Sequence, residues 1–127
     1  MGLMKEMFRE MPPPPKRKRR PAKDREGPVV KACLKWLADH KVFAWRNNTG
    51  AVEFSDGGFM RFGAKGSPDI IGMTRSGRFL GIECKSPTGE QSGYQKQWQA
   101  RCQDQGGLYI LARCVDDLDL YVALICS

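Results

Sequence analysis

The sequence predicts an α/β fold in which helices flank a mixed β-sheet, and three observations lead to this interpretation. Apolar residues recur at helical spacing between Asp24 and about His40. Two apolar runs, residues 69–73 and 79–85, stand on either side of the turn sequence "TRSG" and indicate a pair of strands. Beyond them a helical, a strand-like and a second helical pattern follow in turn, which is typical of an α/β domain.

The N-terminal part of this domain is predicted to be one helix followed by short strands. Asp24 is a candidate N-cap, although Gly27 and Pro28 can shift the start of the helix. Residues 42–62 alternate aromatic, apolar and polar residues around "NNTG" and "SDGG", which indicates short strands joined by turns.

The C-terminal part is predicted to complete the domain. Residues 92–105 read as a polar helix, and the sequence "GGLYILARC" as a short buried strand. The last segment, "VDDLDLYVALIC", is predicted to be one closing helix that begins near Asp116 or Asp117. With 127 residues, 41% of them hydrophobic, the chain accommodates one domain with a modest core.

The positive charge of the chain is concentrated at its N-terminus. Residues 1–25 hold nine Lys/Arg and three Asp/Glu, a net charge of +6, whereas the rest of the chain has a net charge of +1. We therefore divide the chain into a basic, proline-rich extension, residues 1–23, and a folded domain, residues 24–127. The extension suits nucleic acid or another polyanion, and a solvated, disordered leader is the alternative. Its candidate DNA contacts are Lys16, Arg17, Lys18, Arg19 and Arg20.

Composition argues against several other classes of protein. The five cysteines form no CxxC pair and the chain has one histidine, so a zinc site of the usual spacing is not expected. An odd cysteine count without a signal peptide favours a reducing, cytoplasmic location. No apolar run approaches membrane-spanning length, so we expect no membrane partner.

A cluster of three charges is predicted where the two central strands meet. Alternation along the second strand puts Glu83 and Lys85 on one face, and Gly81 leaves space beside them. The length of the turn places Asp69, at the start of the first strand, opposite Ile82 or Glu83. In either register, two carboxylates and one ammonium lie close together at the strand ends.

This cluster has the composition of a site for phosphodiester hydrolysis. Two adjacent carboxylates repel, and one of them is protonated unless a cation lies between them. Hard cations such as Mg²⁺ bind carboxylate oxygens together with water and substrate phosphate. Lys85 beside the metal can orient or deprotonate the attacking water, or neutralise charge on the phosphate. The alternative is an ordinary Asp/Glu/Lys salt-bridge cluster at a sheet edge.

The motif around these charges resembles that of a nuclease superfamily. Pro68-Asp69, followed by Glu83-Cys84-Lys85, is similar to the signature of the PD-(D/E)XK nucleases. Four ordered segments narrow the resemblance to the VRR-NUC family, the virus-type replication-repair nucleases, over roughly residues 24–125. These segments are Glu26 with "WRNNTG" (45–50), "GSPDIIG" (66–72), "GIECK" (81–85) and "QKQW" (95–98).

The resemblance implies a restriction-endonuclease-like core and a nuclease that depends on Mg²⁺ or Mn²⁺ and acts on structured DNA. Asp69 and Glu83 match the metal-binding carboxylates of the family, and Lys85 matches its catalytic lysine. The main-chain carbonyl of Cys84 matches the usual third protein ligand of the metal. A phage or prophage origin is what the family suggests for a free-standing domain of this kind.

Two further residues are implied at the margin of the site. Glu26 matches the acidic residue of the first helix, where it would reach the metal through water. It stands three and four residues before Val29 and Val30, on the inward face; a first-turn glutamate favoured by the helix dipole is the alternative. Gln95 matches the glutamine of the later helix, and a capping box with Ser92 is the alternative.

Two polar segments are candidate DNA contacts within the domain. Arg46, Asn47 and Asn48 lie in a turn-forming sequence, and turn chemistry alone is the alternative. Lys65, flanked by glycines, is placed to contact a phosphate from a flexible loop, and an ordinary solvated loop is the alternative.

The sequence therefore predicts a metal-dependent, structure-specific DNA endonuclease that resembles a four-way (Holliday) junction resolvase. A flap or other branched-DNA nuclease, a sequence-specific restriction-type nuclease and a catalytically silent DNA-binding module are the alternatives. Because a four-way junction has two-fold symmetry and the chain carries one such set of residues, we expect a homodimer. Two apolar segments are candidates for its interface: Leu3, Met4, Met7 and Phe8 of the extension, and Leu118, Tyr121, Val122 and Ile125 of the closing helix. Packing within their own chain is the alternative for both segments. We favour that alternative for the closing helix, so the extension is the better interface candidate.

Overall fold

The described part of the chain is a mixed α/β domain, as predicted. The computed structural model describes residues 26–48 and 50–127, without the side chains of residues 61 and 62. No helix in these residues is long and apolar enough to cross a membrane. In chain order the elements are α1 (Gly27–Asp39), β1 (Phe43–Arg46), β2 (Gly50–Glu53), β3 (Phe59–Phe62), β4 (Ile70–Met73), β5 (Phe79–Cys84), α2 (Gly93–Asp104), β6 (Leu108–Ala112), α3 (Asp116–Asp119) and α4 (Val122–Cys126).

The first helix, α1, is amphipathic and packs its apolar side against the sheet. The candidate N-cap, Asp24, lies outside the described residues. In the structure the N-cap position is Glu26, and Pro28 follows in the first turn, where a missing N–H breaks no helical hydrogen bond. The buried residues of α1 are Val30, Cys33, Trp36 and Leu37.

A four-stranded mixed sheet forms the centre of the domain, in the order β1-β4-β5-β6. β4 pairs antiparallel with β1 and β5, whereas β6 pairs parallel with β5. Ile70 lies opposite Ile82, and the next residues outward are Asp69 and Glu83. Of the two registers predicted, the structure therefore has the one that places Asp69 opposite Glu83.

One face of this sheet carries the main core, where alternate strand residues meet α1. Because side chains alternate along a strand, Gly81 and Glu83 belong to the opposite face. The predicted division of β5 into an apolar face and a face that bears the charges is therefore confirmed. The fully buried residues of the core include Ile70, Leu80, Ile82, Cys84, Ile110, Cys33 and Leu37.

Residues 42–62 form three short strands, but only the first of them joins the main sheet. β1 pairs with β4, whereas β2 and β3 form a separate two-stranded hairpin. The sequence "SDGG" makes the hairpin turn, as predicted. The Asp56 carboxylate accepts a hydrogen bond from the Gly58 N–H at 2.8 Å, and Gly57 has a φ of 89°, which favours glycine.

The closing segment is two short helices, so the prediction of a single helix is wrong. α3 ends at Asp119, and Tyr121 has φ −111° and ψ 7° before α4 begins. Leu118 and Ile125 are fully buried in the core of their own chain. Packing within the chain, the interpretation favoured for the closing segment, is therefore confirmed for these two residues, which are not available to an intermolecular interface.

Two separate anchors account for the break in the closing segment. The Asp117 carboxylate accepts the N–H groups of Arg113 and Cys114 at 2.8 and 3.3 Å, which ties α3 to the end of β6. The Ile125 carbonyl accepts the N–H of Arg75 at 2.9 Å, which ties α4 to the turn between β4 and β5. Helical periodicity does not encode either contact, since each depends on tertiary structure.

We expect Leu118→Ala to lower the free energy of unfolding by about 2–5 kcal/mol, because truncating a fully buried leucine leaves a cavity. Leu120→Ala is the matched control: this neighbouring leucine is 80% exposed, and its truncation should change stability by less than about 0.5 kcal/mol. Urea denaturation followed by circular dichroism measures both variants. Equal effects would show that Leu118 does not belong to the core.

Candidate active site

Asp69 is positioned by the loop that precedes it and by the neighbouring strand. Gly66 has a φ of 84° and packs closely on Tyr94: an added Cβ would lie 2.5 Å from the Tyr94 carbonyl oxygen, so glycine is required here. On the other side, Asp69 Oδ2 accepts a hydrogen bond from the main-chain N–H of Cys84 at 2.8 Å. The carboxylate is thereby held against the end of β5.

Asn47 fixes the same loop from β1. Its side-chain amide donates to Ser67 Oγ at 2.8 Å and to the Pro68 carbonyl at 3.0 Å. Its main-chain N–H donates to the Asp69 carbonyl at 2.7 Å. Ser67 and Pro68 are buried, so these hydrogen bonds satisfy polar atoms that water does not reach. These contacts therefore fix the backbone just before Asp69, at the start of β4.

Lys85 is buried between two carboxylates. Its Nζ lies 3.4 Å from Glu26 Oε1 and 3.9 Å from Glu83 Oε1. Glu26 reaches it from the N-terminus of α1 and is partly exposed, whereas Lys85 and Glu83 are both buried. Glu26 therefore faces the charged cluster, as its position in the sequence predicted.

Gln95 forms the predicted capping box and also contacts the charged cluster. Its Oε1 accepts the N–H of Ser92 at 2.8 Å while Ser92 Oγ accepts the N–H of Gln95 at 3.2 Å, which is a reciprocal capping box. Its Nε2 donates to Glu83 Oε1 at 3.1 Å. One side chain therefore caps the start of α2 and orients a carboxylate of the candidate site.

The surroundings of Glu83 favour its protonated form when no cation is bound. The residue is 1% exposed, and its Oε2 has no hydrogen-bond partner in the described part of the chain. Burial, followed by repulsion from Asp69, raises the pKa of Glu83 to about 9. Lys85 acts in the opposite direction on this pKa but does not compensate.

The donor atoms at this site fit a hard divalent cation, although they are few. Among residues 26–48 and 50–127, no group of three His, Cys, Asp or Glu side chains is arranged to hold a metal ion. Asp69 and Glu83 offer two carboxylates, and Glu83 Oε2 is buried without a hydrogen-bond partner among the described residues. Mg²⁺ needs only one or two carboxylates when water and phosphate complete its coordination.

The candidate DNA contacts of the domain differ in their exposure. Arg46, Asn48 and Lys65 are exposed, whereas Asn47 is half-buried and engaged with the loop described above. The basic residues 16–20 lie outside the described residues. DNA contact stays a prediction for all of them, and the loop hydrogen bonds give Asn47 a structural role in addition.

The arrangement of acidic, basic and amide side chains at the strand ends can be compared with known families. The family model of the VRR-NUC domain matches residues 24–116, a range that contains every predicted site residue from Glu26 to Gln95. The chain belongs to the VRR-NUC domain family. A VRR-NUC domain implies a nuclease-type function, with DNA as the partner. Comparisons with curated proteins and with solved structures give no match.

The VRR-NUC domain also contains a positioning residue that the sequence analysis missed. Arg113, at the end of β6, donates from Nη1 to the carbonyl oxygens of Ser86, Pro87 and Gly89 at 2.6, 3.3 and 2.7 Å. These contacts hold the loop that follows Lys85 directly. A single arginine after a strand carries no sequence signal for such a role, because its partners are main-chain atoms.

We expect Gln95→Glu to lower nuclease activity by about 10–100-fold, because it removes the N–H donor to Glu83 and places a second carboxylate there. The new carboxylate can still accept the Ser92 N–H, so the capping box and the stability should largely persist. Ser92→Ala is the matched control: it should cost about 1 kcal/mol of stability through the lost cap and leave the Glu83 contact intact. Cleavage rates measure the loss of activity, and urea denaturation measures the loss of stability, in both variants. Activity lost only in Ser92→Ala would contradict the site role of Gln95.

We expect Glu83→Gln to be more stable than the wild type at high pH in the absence of divalent metal. Between about pH 4.5 and 9 the folded wild type keeps a proton on Glu83 that the unfolded chain has released, so its stability falls as the pH rises. The glutamine variant lacks this loss, and its advantage should grow by up to about 1.4 kcal/mol per pH unit. Urea denaturation in EDTA across this pH range measures the difference. Parallel pH profiles for the two proteins would contradict a protonated, buried Glu83.

Proposed function

We propose that this chain is a metal-dependent, structure-specific DNA endonuclease that cuts four-way junctions. The observation that carries the proposal is the buried carboxylate of Glu83, which faces Asp69 and keeps one oxygen without a hydrogen-bond partner in the described residues. Burying such a group is costly unless a cation pairs with it, and perturbed carboxylates of this kind cluster at functional sites. The mixed sheet and the placement of the cluster at its strand ends support a PD-(D/E)XK core.

We assign the binding of Mg²⁺ or Mn²⁺ to Asp69, Glu83 and the main-chain carbonyl of Cys84, with Glu26 acting through water. A bound cation would supply positive charge at the scissile phosphate and a water molecule with a lowered pKa. The chain keeps the two carboxylates in place through hydrogen bonds from the Cys84 N–H to Asp69 and from Gln95 to Glu83.

Lys85 is the residue for which we propose a direct part in the chemistry. Its ammonium lies beside Glu83 and is held from the other side by Glu26. From there it can orient the attacking water and neutralise charge that develops on the phosphoryl oxygens. Burial between two carboxylates restricts the Lys85 side chain, so that it loses little further conformational entropy when the substrate binds.

The preference for a four-way junction rests on symmetry. One set of site residues cuts one strand, and a two-fold symmetric junction requires two matching cuts, which a homodimer supplies. A monomer that cuts flaps or other branched DNA is the alternative.

We expect Lys85→Ala to lower the cleavage rate by at least about 10²–10³-fold, because a donor aimed at the developing charge is lost. Binding of Mn²⁺, measured by calorimetry, should survive in this variant and be lost in Asp69→Asn. Lys31→Ala, which removes an exposed lysine of α1, is the matched control and should cleave normally. Cleavage by Lys85→Ala near the wild-type rate, or unchanged Mn²⁺ affinity in Asp69→Asn, would refute these assignments.

The substrate class can be tested with labelled four-way junctions, flaps and plain duplexes of matched sequence. We expect cleavage with Mg²⁺ or Mn²⁺ and none in EDTA, with the junction cut by two symmetric nicks in preference to the duplex. Cleavage of flaps alone would favour the branched-DNA alternative. No cleavage of any substrate with either metal would refute the nuclease proposal.

A further inference from the structure

Among the described residues, the helices cover one face of the central sheet only in part. α1 packs over the core face, and on the opposite face Trp98 of α2 meets Phe79 and Tyr109, at the β5–β6 side of the sheet. The β1–β4 side of that second face carries large apolar residues in register. Phe43, Met73 and Phe79 form one row across β1, β4 and β5, and Trp45 and Ile71 begin the next row. Directly opposite residues share a face of an antiparallel sheet.

These side chains are exposed to an extent that is unusual for such residues. Phe43 is 69%, Trp45 49%, Met73 47% and Phe79 40% exposed. At about 200 Å² for each large side chain, the exposed surface is on the order of 400 Å². None of the residues in the two rows is charged. We call this surface, formed by Phe43, Trp45, Ile71, Met73 and Phe79, the open sheet face.

An apolar cavity adjoins the open sheet face and extends it towards α2. The cavity has a volume of about 340 Å³ and shares Phe79 with the open sheet face. It is large enough to receive a side chain of another molecule. Its other lining residues are Trp98, Arg101, Cys102, Gln105 and Gly107.

We propose that the open sheet face is the surface through which a second copy of this chain binds. An exposed patch of this size is comparable to the largest on a typical monomer, and such patches are often functional. A standard interface buries about 800 Å² per partner; the open sheet face would supply the apolar centre, and the cavity rim and neighbouring polar residues the remainder. Its Phe, Trp and Met content, without charge, matches the composition of interface centres.

Nucleic acid is a poorer match for the same surface. Proteins that stack unpaired bases on aromatic rings combine the rings with cations that follow the phosphate backbone. Arg101 is a cation at the cavity, but the two rows of the open sheet face contribute none. Because these rows carry no charge, their best partner is another uncharged, apolar protein surface. A second copy of the chain supplies such a surface when the two copies pair about a two-fold axis.

The location of the open sheet face suits a nuclease that makes paired cuts, so this inference deepens the proposed function and rests on it in this respect. Asp69 directly precedes β4 and lies four residues from Met73, about 13 Å at roughly 3.3 Å per residue. Asp69 and Met73 belong to the same face, because their positions differ by four, an even number. A two-fold axis near Met73 would place two candidate sites on either side of the interface, within reach of one junction.

The test is the mass of the full chain at micromolar concentration, measured by light scattering during size exclusion. The wild type should have twice the chain mass of 14.3 kDa. The double variant Phe43→Asp/Met73→Asp should dissociate into monomers, whereas Leu120→Asp, at an exposed leucine of the closing segment, should remain a dimer. Thermal unfolding confirms that each variant is folded. Mixing the aspartate variant with Phe43→Lys/Met73→Lys should restore the dimer mass, which a merely misfolded variant cannot do.

Several results would overturn the proposal. A monomeric wild type would do so, and so would a dimer that persists in the aspartate variant. Dissociation of Leu120→Asp to the same extent as the aspartate variant would show that the effect is not specific to the open sheet face. Dissociation on deletion of residues 1–20 would place the interface in the extension. Cleavage of branched DNA is scored separately. A dimer without nuclease activity refutes the proposed function and leaves the open sheet face standing. A monomer that still cuts four-way junctions refutes the open sheet face and leaves the proposed activity standing, whereas a monomer that cuts only flaps refutes both.

Discussion

Burial of one carboxylate is the constraint on which the rest of this domain depends. Glu83 is buried on β5, an inner strand of the sheet, where an unpaired charge costs several kcal/mol. Contacts from two helices offset part of that cost. Gln95 of α2 donates a hydrogen bond to Glu83, and Glu26 at the start of α1 holds the Lys85 ammonium beside it. A fold designed for stability alone would place an apolar side chain there, so the cost indicates that the position is kept for a function.

The charged cluster could be predicted from the sequence because it follows from local geometry. Strand alternation puts Glu83 and Lys85 on one face, and the turn length allowed two registers that both bring Asp69 near them. The choice between these registers needed the structure, since it depends on how β4 packs against its neighbours. The family resemblance added Glu26 and Gln95, and the structure shows that both contact the cluster.

The parts that the sequence did not predict all depend on contacts between distant segments. Leu118 and Ile125 share a helical stripe, so one helix was expected, but hydrogen bonds to β6 and to the β4–β5 turn divide it. Asn47 was predicted to be a turn residue because asparagine is common in turns. Its hydrogen bond to Ser67 forms only because β1 lies beside the loop that precedes Asp69. The open sheet face was missed for the same reason, because alternation does not tell which of two faces a helix will cover.

The side chain of Gln95 makes the first turn of α2 part of the candidate site. Its Oε1 accepts the Ser92 N–H while its Nε2 donates to Glu83, so complete unwinding of that turn would also displace the side chain that holds the carboxylate. Local opening of this kind exposes main-chain amide protons to exchange with solvent. The exchange rates of the Ser92 and Gln95 amides therefore report how firmly Glu83 is held, and a cation bound to that carboxylate would slow them without touching the helix.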